Sequence, residues 1–298
     1  MTQNITPDKL VPYERKWAGT NKVRAVIALT HPTAVIIFSL MAWVVAFLAL
    51  HKPPDLSLSI HLVLAMAMSQ ASIGMFNEVF DWKLDKKTKP WRAIPAGYIS
   101  PGGAAVIASI LFCLAVFFAS RLSLLSAFLL FLGTGMGIAY SAKMKRTVFS
   151  WLAYVVDYPA LPIWVWISIG RFDPHDLTIL LAAAPIALAI HLCNQLRDFD
   201  EDAAMGINGL VQHLGKTRSN SICYALLLLT PLPLLISTLI FGRSIQLLVL
   251  TLSATLHWAL ILSHYFRYYK SPSPEGFRIL FRRLQITSPF LLIGWLYR

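Results

Sequence analysis

The chain has 298 residues, of which 57% are hydrophobic and only 13% are charged. Soluble domains carry about 25% charged residues, so the length would suit two soluble domains but the solvating charge for them is missing. Disorder, collagen and coiled coil are excluded by the same figures. The net charge of +12 does not call for nucleic acid, because a membrane chain carries its excess Lys and Arg on the cytoplasmic side.

Residues 1–23 are polar and mixed in charge, without the apolar core of a signal peptide. They read as a cytoplasmic N-terminal segment ahead of a transmembrane domain over 24–298. Nine apolar segments follow, at about 25–50, 56–80, 102–120, 122–142, 151–170, 177–196, 219–241, 245–266 and 279–296, each near the length of a membrane-spanning helix. The expected fold is therefore an all-α membrane protein of nine transmembrane helices. Nineteen of the 26 Lys and Arg fall before the first segment or in the connections after segments two, four, six and eight, and Arg282 and Arg283 at the start of segment nine bring that side to 21. That asymmetry puts the N-terminus and these connections in the cytoplasm. Cys113, Cys193 and Cys223 all lie in apolar stretches with no metal spacing and read as small buried residues.

Segment two ends in Asn77-x3-Asp81-x3-Asp85, and segment six ends in Asn194-x3-Asp198-x3-Asp202. Each residue of the first triplet lies 117 positions before its counterpart. The chain thus reads as two four-helix halves plus a ninth helix around a central chamber. Spacing of four puts the three side chains on one helix face. Seven of the fourteen acidic residues sit in these clusters: Glu78, Asp81, Asp85, Asp198, Asp200, Glu201 and Asp202. Carboxylates at that density repel and are costly beside hydrocarbon. A divalent cation compensates them, and oxygen-only donors favour Mg²⁺, which bridges carboxylates to phosphate. Acidic helix ends drawn to basic loops do not account for two copies of one triplet.

The first triplet followed by Pro90-Trp91-Arg92 closely resembles the first signature of the UbiA superfamily of intramembrane prenyltransferases. Asp198-x3-Asp202 with Gly206, Gly209 and Leu214-Gly215 resembles the second, and Tyr140-Ser141 with Lys145-Arg146 resembles the Tyr…Lys-Arg element of the loop after helix four. Lys143 competes with Lys145 for that position. His31-Pro32 stands where the family commonly has Arg-Pro, and Glu78 where it often has Asp. The resemblance implies two Mg²⁺ ions, a polyprenyl diphosphate donor and a lipophilic acceptor in the bilayer. Asp81, Asp85, Asp198 and Asp202 would hold the metal, with Asn77 and Asn194 completing the shell or orienting diphosphate. Arg92, Lys145 and Arg146 would neutralise the leaving diphosphate, with Tyr140, Phe76 and Phe80 as aromatic faces for an allylic cation. The acceptor stays open, as does a membrane terpene cyclase using the same donor. An ion-coupled transporter is the reading from another class, but its sites belong near the bilayer midplane. The Asp-x2-Asp-Gly-x2-Ala-Arg pattern of CDP-alcohol phosphatidyltransferases does not occur.

Two further ionisable residues fall inside apolar segments. His191 lies three before Asn194 and seven before Asp198, so it is expected on their face, deeper in the chamber. Asp157 is expected near the inner end of segment five. Either is a candidate to take the acceptor's proton or fix its polar head.

Overall fold

The computed structural model describes residues 22–296 apart from Met205. The expected cytoplasmic segment 1–23 lies outside the described residues except for its last two. The described elements are helical: α1 (Lys22–Leu29), α2 (Pro32–Leu50), α3 (Leu56–Thr88), α4 (Pro101–Ser120), α5 (Leu124–Ala142), α6 (Ser150–Ser168), α7 (Leu180–Arg197), α8 (Phe199–Ala204), α9 (Leu210–Leu214), α10 (Lys216–Leu229), α11 (Pro231–Phe241), α12 (Ser244–Tyr268) and α13 (Pro274–Leu296), with 3₁₀ turns at Met144–Arg146 and Pro174–Ile179. Local chemistry sets many of the starts. Asp55 accepts from Leu58 N at 2.8 Å, Ser100 from Gly103 N at 3.0 Å and Ser123 from Ser126 N at 2.9 Å. These caps satisfy amides that have no partner within the helix. Pro32, Pro101 and Pro231 stand in first turns, where no N–H is needed.

Seven helical stretches are long and apolar enough to cross a membrane: α2, α3, α4, α5, Asp176–Arg197, Lys216–Phe241 and α12. The other two expected segments are helices of lower apolarity. The helix α6 carries Asp157, Pro159 and Pro162; α13 carries Glu275, Arg278, Arg282 and Arg283 in its first half. The segment expected at 219–241 is two helices that meet at Thr230, because Pro231 has no N–H to continue the ladder.

The largest departure from expectation is α3. It runs on for 33 residues, to Thr88 rather than Phe80. At about 1.5 Å per residue it is about 50 Å long, about 20 Å more than the hydrocarbon core. The first acidic triplet therefore stays on continuous helix as the chain leaves the membrane. The second does not: α7 ends at Arg197, Asp198 sits between helices at φ −101°, and Asp202 belongs to α8. The expectation of one helix face is met in the first copy and corrected in the second.

Small residues draw the helices together. Ala104, Ala108, Ala115 and Ala119 of α4 are fully buried, as are Ala42 and Ala46 of α2 and Ala65 of α3, and α3 packs against both neighbours. Buried hydroxyls pin these contacts: Ser69 to Thr134 at 2.7 Å, and Ser72 to the Ala108 carbonyl at 2.9 Å. The last helix, α13, packs on α7 and α2. Large apolar side chains such as Leu124, Phe128, Leu239 and Phe266 point outward, where lipid suits them. Cys193 and Cys223 are buried, whereas Cys113 is exposed on α4, contrary to the expectation for it.

Gly74 of α3 touches the α1–α2 turn, and a Cβ there would lie 2.9 Å from the Thr30 carbonyl oxygen and 3.0 Å from His31 Cδ2. Backbone cannot yield as a flexible side chain can. Gly74→Ala is expected to destabilise the protein by about 1–3 kcal/mol despite the better helix propensity of Ala. Gly135→Ala, which meets open space, is expected to be neutral or stabilising. Thermal unfolding in detergent compares the two.

Candidate active site

The first acidic row is held by basic side chains from three directions. Lys145, in the 3₁₀ turn after α5, donates from Nζ to Asn77 Oδ1 at 3.2 Å and to both carboxylate oxygens of Asp81. Arg146 reaches Asp81 at 3.5 Å. Lys145, rather than the exposed Lys143 that ends α5, is thus the lysine that meets the row. Arg92 donates from one nitrogen to Glu78 Oε1 and to Asp85 Oδ2, both at 2.8 Å. Glu78 and Asp85 are buried, and Lys89 lies 3.9 Å from Asp85. The loop that carries Arg92 is a chain of turns: Arg92 N donates to Lys89 O, Ala96 N to Arg92 O and Tyr98 N to Ala93 O. Ala93 and Ile94 anchor it in the apolar contact between α3 and α4.

The second row repeats the arrangement with another cation. Arg197 donates to Asp198 through Nε at 2.8 Å and a terminal nitrogen at 2.6 Å, and to Asn194 Oδ1 at 3.5 Å. In both copies, then, the Asn oxygen and the first Asp carboxylate converge on one positive charge: Lys145 in the first, Arg197 in the second. Asp202 is tied into the turn, its backbone N–H donating to Asp198 O and its carbonyl accepting from Ile207 N, both at 2.9 Å. Asp200 faces outward and pairs with Lys216 at 2.8 Å. Arg197 is the partner that sequence reasoning missed, although it directly precedes Asp198.

Two tyrosines connect the rows. Tyr140, near the end of α5, packs its ring against Tyr154 and His191. Asn194 donates to the Tyr154 hydroxyl at 3.3 Å, and the two rings meet edge to face at 5.4 Å. Phe76 and Phe80 stack on each other at 5.9 Å. Phe76 packs in the α3–α4 core, and Phe80 is exposed.

A cavity of about 1100 Å³ opens beside the first row. Arg24, His31, Glu78 and Arg92 are its charged or histidine lining, joined by Tyr98 and Tyr158; Phe38, Leu161, Ile186, Leu234, Leu291 and Trp295 are among its many apolar walls. His191 and Asp157, both expected at the chamber, do not line it. His191 is fully buried, bonded through Nε2 to Ser150 Oγ at 2.9 Å and packed on Tyr154. Its position in α7 turns it toward α6 instead of the open space. Asp157 faces Gly133 of α5, and its Oδ1 has no hydrogen-bond partner among the described residues.

The residues fit Mg²⁺ by the chemistry of their donors. Each row offers hard amide and carboxylate oxygens that already enclose a cation. Among the described residues no three His, Cys, Asp or Glu side chains form a ready metal cage.

The sequence pattern that defines the UbiA prenyltransferase family matches residues 35–284, so the chain belongs to that family. It is 28% identical over 182 residues to digeranylgeranylglyceryl phosphate synthase of Saccharolobus solfataricus, an alignment that takes in 58% of this chain and 64% of that relative, just under two thirds of its length. The fold is shared with a UbiA homologue from Archaeoglobus fulgidus bound to GPP and Mg²⁺, at a TM-score of 0.71 and 17% identity over 92% of this chain and 99% of the other. It is also shared with a digeranylgeranylglyceryl phosphate synthase structure, at a TM-score of 0.74 and 16% identity over 93% and 98%.

Removing Arg92 would leave Glu78 and Asp85 buried without the guanidinium they share. Arg92→Leu is expected to cost about 3 kcal/mol, the low end for breaking a buried pair, because Arg92 is partly exposed. Lys216→Ala, which breaks a solvent-exposed pair, is expected to change stability little. Unfolding of both variants in mixed micelles checks the contrast.

Proposed function

We propose that this protein transfers a polyprenyl group from an allylic isoprenyl diphosphate to a lipophilic acceptor and releases diphosphate. The observation that carries the reading is the twofold convergence of an Asn oxygen and an Asp carboxylate on one cation, at Lys145 and again at Arg197. Sites built to enclose positive charge at the ends of apolar helices suit a donor with a charged head and a hydrocarbon tail. The A. fulgidus homologue binds GPP and Mg²⁺, and the S. solfataricus relative is a digeranylgeranylglyceryl phosphate synthase. The synthase's name favours a glyceryl phosphate among the acceptors and favours transfer over internal capture by a cyclase. Family membership and carboxylates at helix ends speak against ion-coupled transport.

In this reading the bundle has nine transmembrane helices, with the N-terminus and the connections 81–101 and 197–218 in the cytoplasm. Asp81, Asp85, Asp198 and Asp202 hold Mg²⁺, and Asn77 and Asn194 complete its shell or orient the diphosphate. When bound, the metal supplies positive charge against the leaving diphosphate. Lys145 and Arg146, no longer needed by Asp81, turn to the phosphate oxygens, and Arg92 adds charge from the other side. Tyr140, between the rows, covers the reacting carbon. His191 and Asp157 drop out of acceptor handling, because neither borders the cavity.

Two experiments test the proposal. Purified protein given geranylgeranyl diphosphate and Mg²⁺ is expected to release diphosphate, to stop in EDTA and to recover when Mg²⁺ is restored. Asp81→Ala and Asp198→Ala are each expected to lower turnover at least about 100-fold, with thermal unfolding close to the parent's. Full turnover in chelator would overturn the metal assignment. For orientation, cysteines placed at Lys87 and Lys216, in a background without Cys113, Cys193 and Cys223, are expected to react only with cytoplasmic reagent. Labelling of either from outside would reverse the topology.

A further inference from the structure

A buried network joins the connection that carries Lys145 to the helix that carries the second row. Ser150, the first residue of α6, has its Oγ 2.9 Å from His191 Nε2. Gln195 Nε2 donates to the same hydroxyl at 3.3 Å, and Val211 N donates to Gln195 Oε1 at 3.2 Å. A backbone N–H can only donate, so the Gln195 amide oxygen is turned to Val211 and its nitrogen to Ser150. Ser150 and His191 are fully buried, and Gln195 is buried. His191 Nδ1 has no partner among the described residues, so Ser150 is the polar anchor of the ring. Tyr140 of α5 and Tyr154 of α6 pack against that ring, with centroids 6.4 and 4.8 Å away.

Each contact falls where a part of the site begins or ends. The turn with Lys145 and Arg146 runs from Ala142 at the end of α5 to Ser150 at the start of α6, and Tyr140 and Ser150 hold its two flanks to His191. His191 stands three residues before Asn194, and Gln195 directly after it. The stretch that carries Asp198 and Asp202 leaves α7 after Arg197, and at α9 Val211 closes it back on Gln195. A Cβ at Gly209 would collide with Gln195 Nε2, so the glycine leaves the room that this closure needs. Ser150, His191 and Gln195 do not border the cavity, and acceptor handling gives them no part.

We propose that Ser150, His191 and Gln195 are positioning residues that set the distance between the Lys145 turn, which holds the first row, and the second row. The inference rests on the transfer reading above, in which one diphosphate with its metal engages both rows. Hydrogen bonds keep a narrow range of length, and a buried network selects one arrangement of the elements it joins. The separation is therefore fixed before substrate arrives, and the site does not have to be assembled around each donor. Loss of an anchor lets the turn and the second row drift apart without removing a group that touches substrate.

The test places spin labels at Lys143 and Ala203, both exposed, in the full-length protein without Cys113, Cys193 and Cys223. Double electron–electron resonance in nanodiscs, without donor or Mg²⁺, reads their separation. The parent is expected to give one narrow distribution, and Ser150→Ala, His191→Phe and Gly209→Ala to widen it. His191→Gln, whose amide can still reach Ser150, is expected to keep it narrow. In unlabelled protein, diphosphate release from geranylgeranyl diphosphate reads the site itself. The same three variants are expected to raise the donor KM and the half-saturating Mg²⁺ by about tenfold, the equivalent of one lost buried hydrogen bond, and His191→Gln to stay near the parent. A merely structural role would lower the active fraction, and so kcat, and leave both constants unmoved. Ser150→Ala deletes a single oxygen and decides alone should the larger changes fail to fold. An unwidened distribution in Ser150→Ala would overturn the proposal, as would a fall in kcat with both constants unmoved. A parent that releases no diphosphate would defeat the transfer reading and this inference with it, whereas unchanged distances in a working enzyme would defeat this inference alone.

Discussion

A carboxylate cannot be left alone where helices leave hydrocarbon. Desolvation at that depth costs more than an ordinary surface ion pair returns, so Glu78, Asp81, Asp85 and Asp198 are each met by positive charge. The organisation around the two rows follows from this one constraint. Lys145 and Arg146 come from the α5–α6 connection, Arg92 from the loop after α3, and Arg197 from within the second row. These connections cannot be splayed without stranding a buried charge. The same pairs that stabilise the fold therefore hold the loops over the site.

The constraint also bears on how the proposed site would accept a substrate and let it go. Lys145 is nearly buried against Asp81, while Arg146 is half exposed beside it. A second source of positive charge at the row would release both side chains toward a phosphate. In the proposed reading, a diphosphate arriving with its metal would supply anion and cation together, so local charge would stay balanced through the exchange. Balanced exchange of this kind needs little movement of the helices, in keeping with a bundle pinned by buried hydroxyls and close alanine contacts.

Much of this was legible in the sequence, and the physical reasons separate what was from what was not. Apolar length gives the helices, because backbone in lipid must satisfy itself. The Asn-x3-Asp-x3-Asp repeat gives the rows, because two copies of a costly arrangement need a common purpose. The extent of α3 was not legible: Lys83, Lys86 and Lys87 look like a loop to a reading based on hydropathy, yet they are good helix formers that face water beyond the bilayer. The break at Asp198 was hidden for the opposite reason, since the 3-and-4 spacing continues across it. His191 shares the Asn194 face by periodicity, but which neighbour fills that face depends on how α6 packs. One helix cannot show this by itself.

In the proposed reading, the row and the cavity divide the labour, and specificity would reside in the cavity. The rows present amide and carboxylate oxygens to any cation and diphosphate, and nothing in them measures the length or identity of a hydrocarbon. The cavity would measure it: its walls come from α1, α2, α6, α7, α11 and α13 and are mostly apolar, with Arg24, His31, Glu78 and Arg92 as the charged or histidine side chains among them. Glu78 belongs to both regions, since Arg92 ties it to Asp85 and His31 ties it to the cavity wall. A substituent on α2 or α13 would change what fits without disturbing the rows, whereas any change at Glu78 alters both regions together.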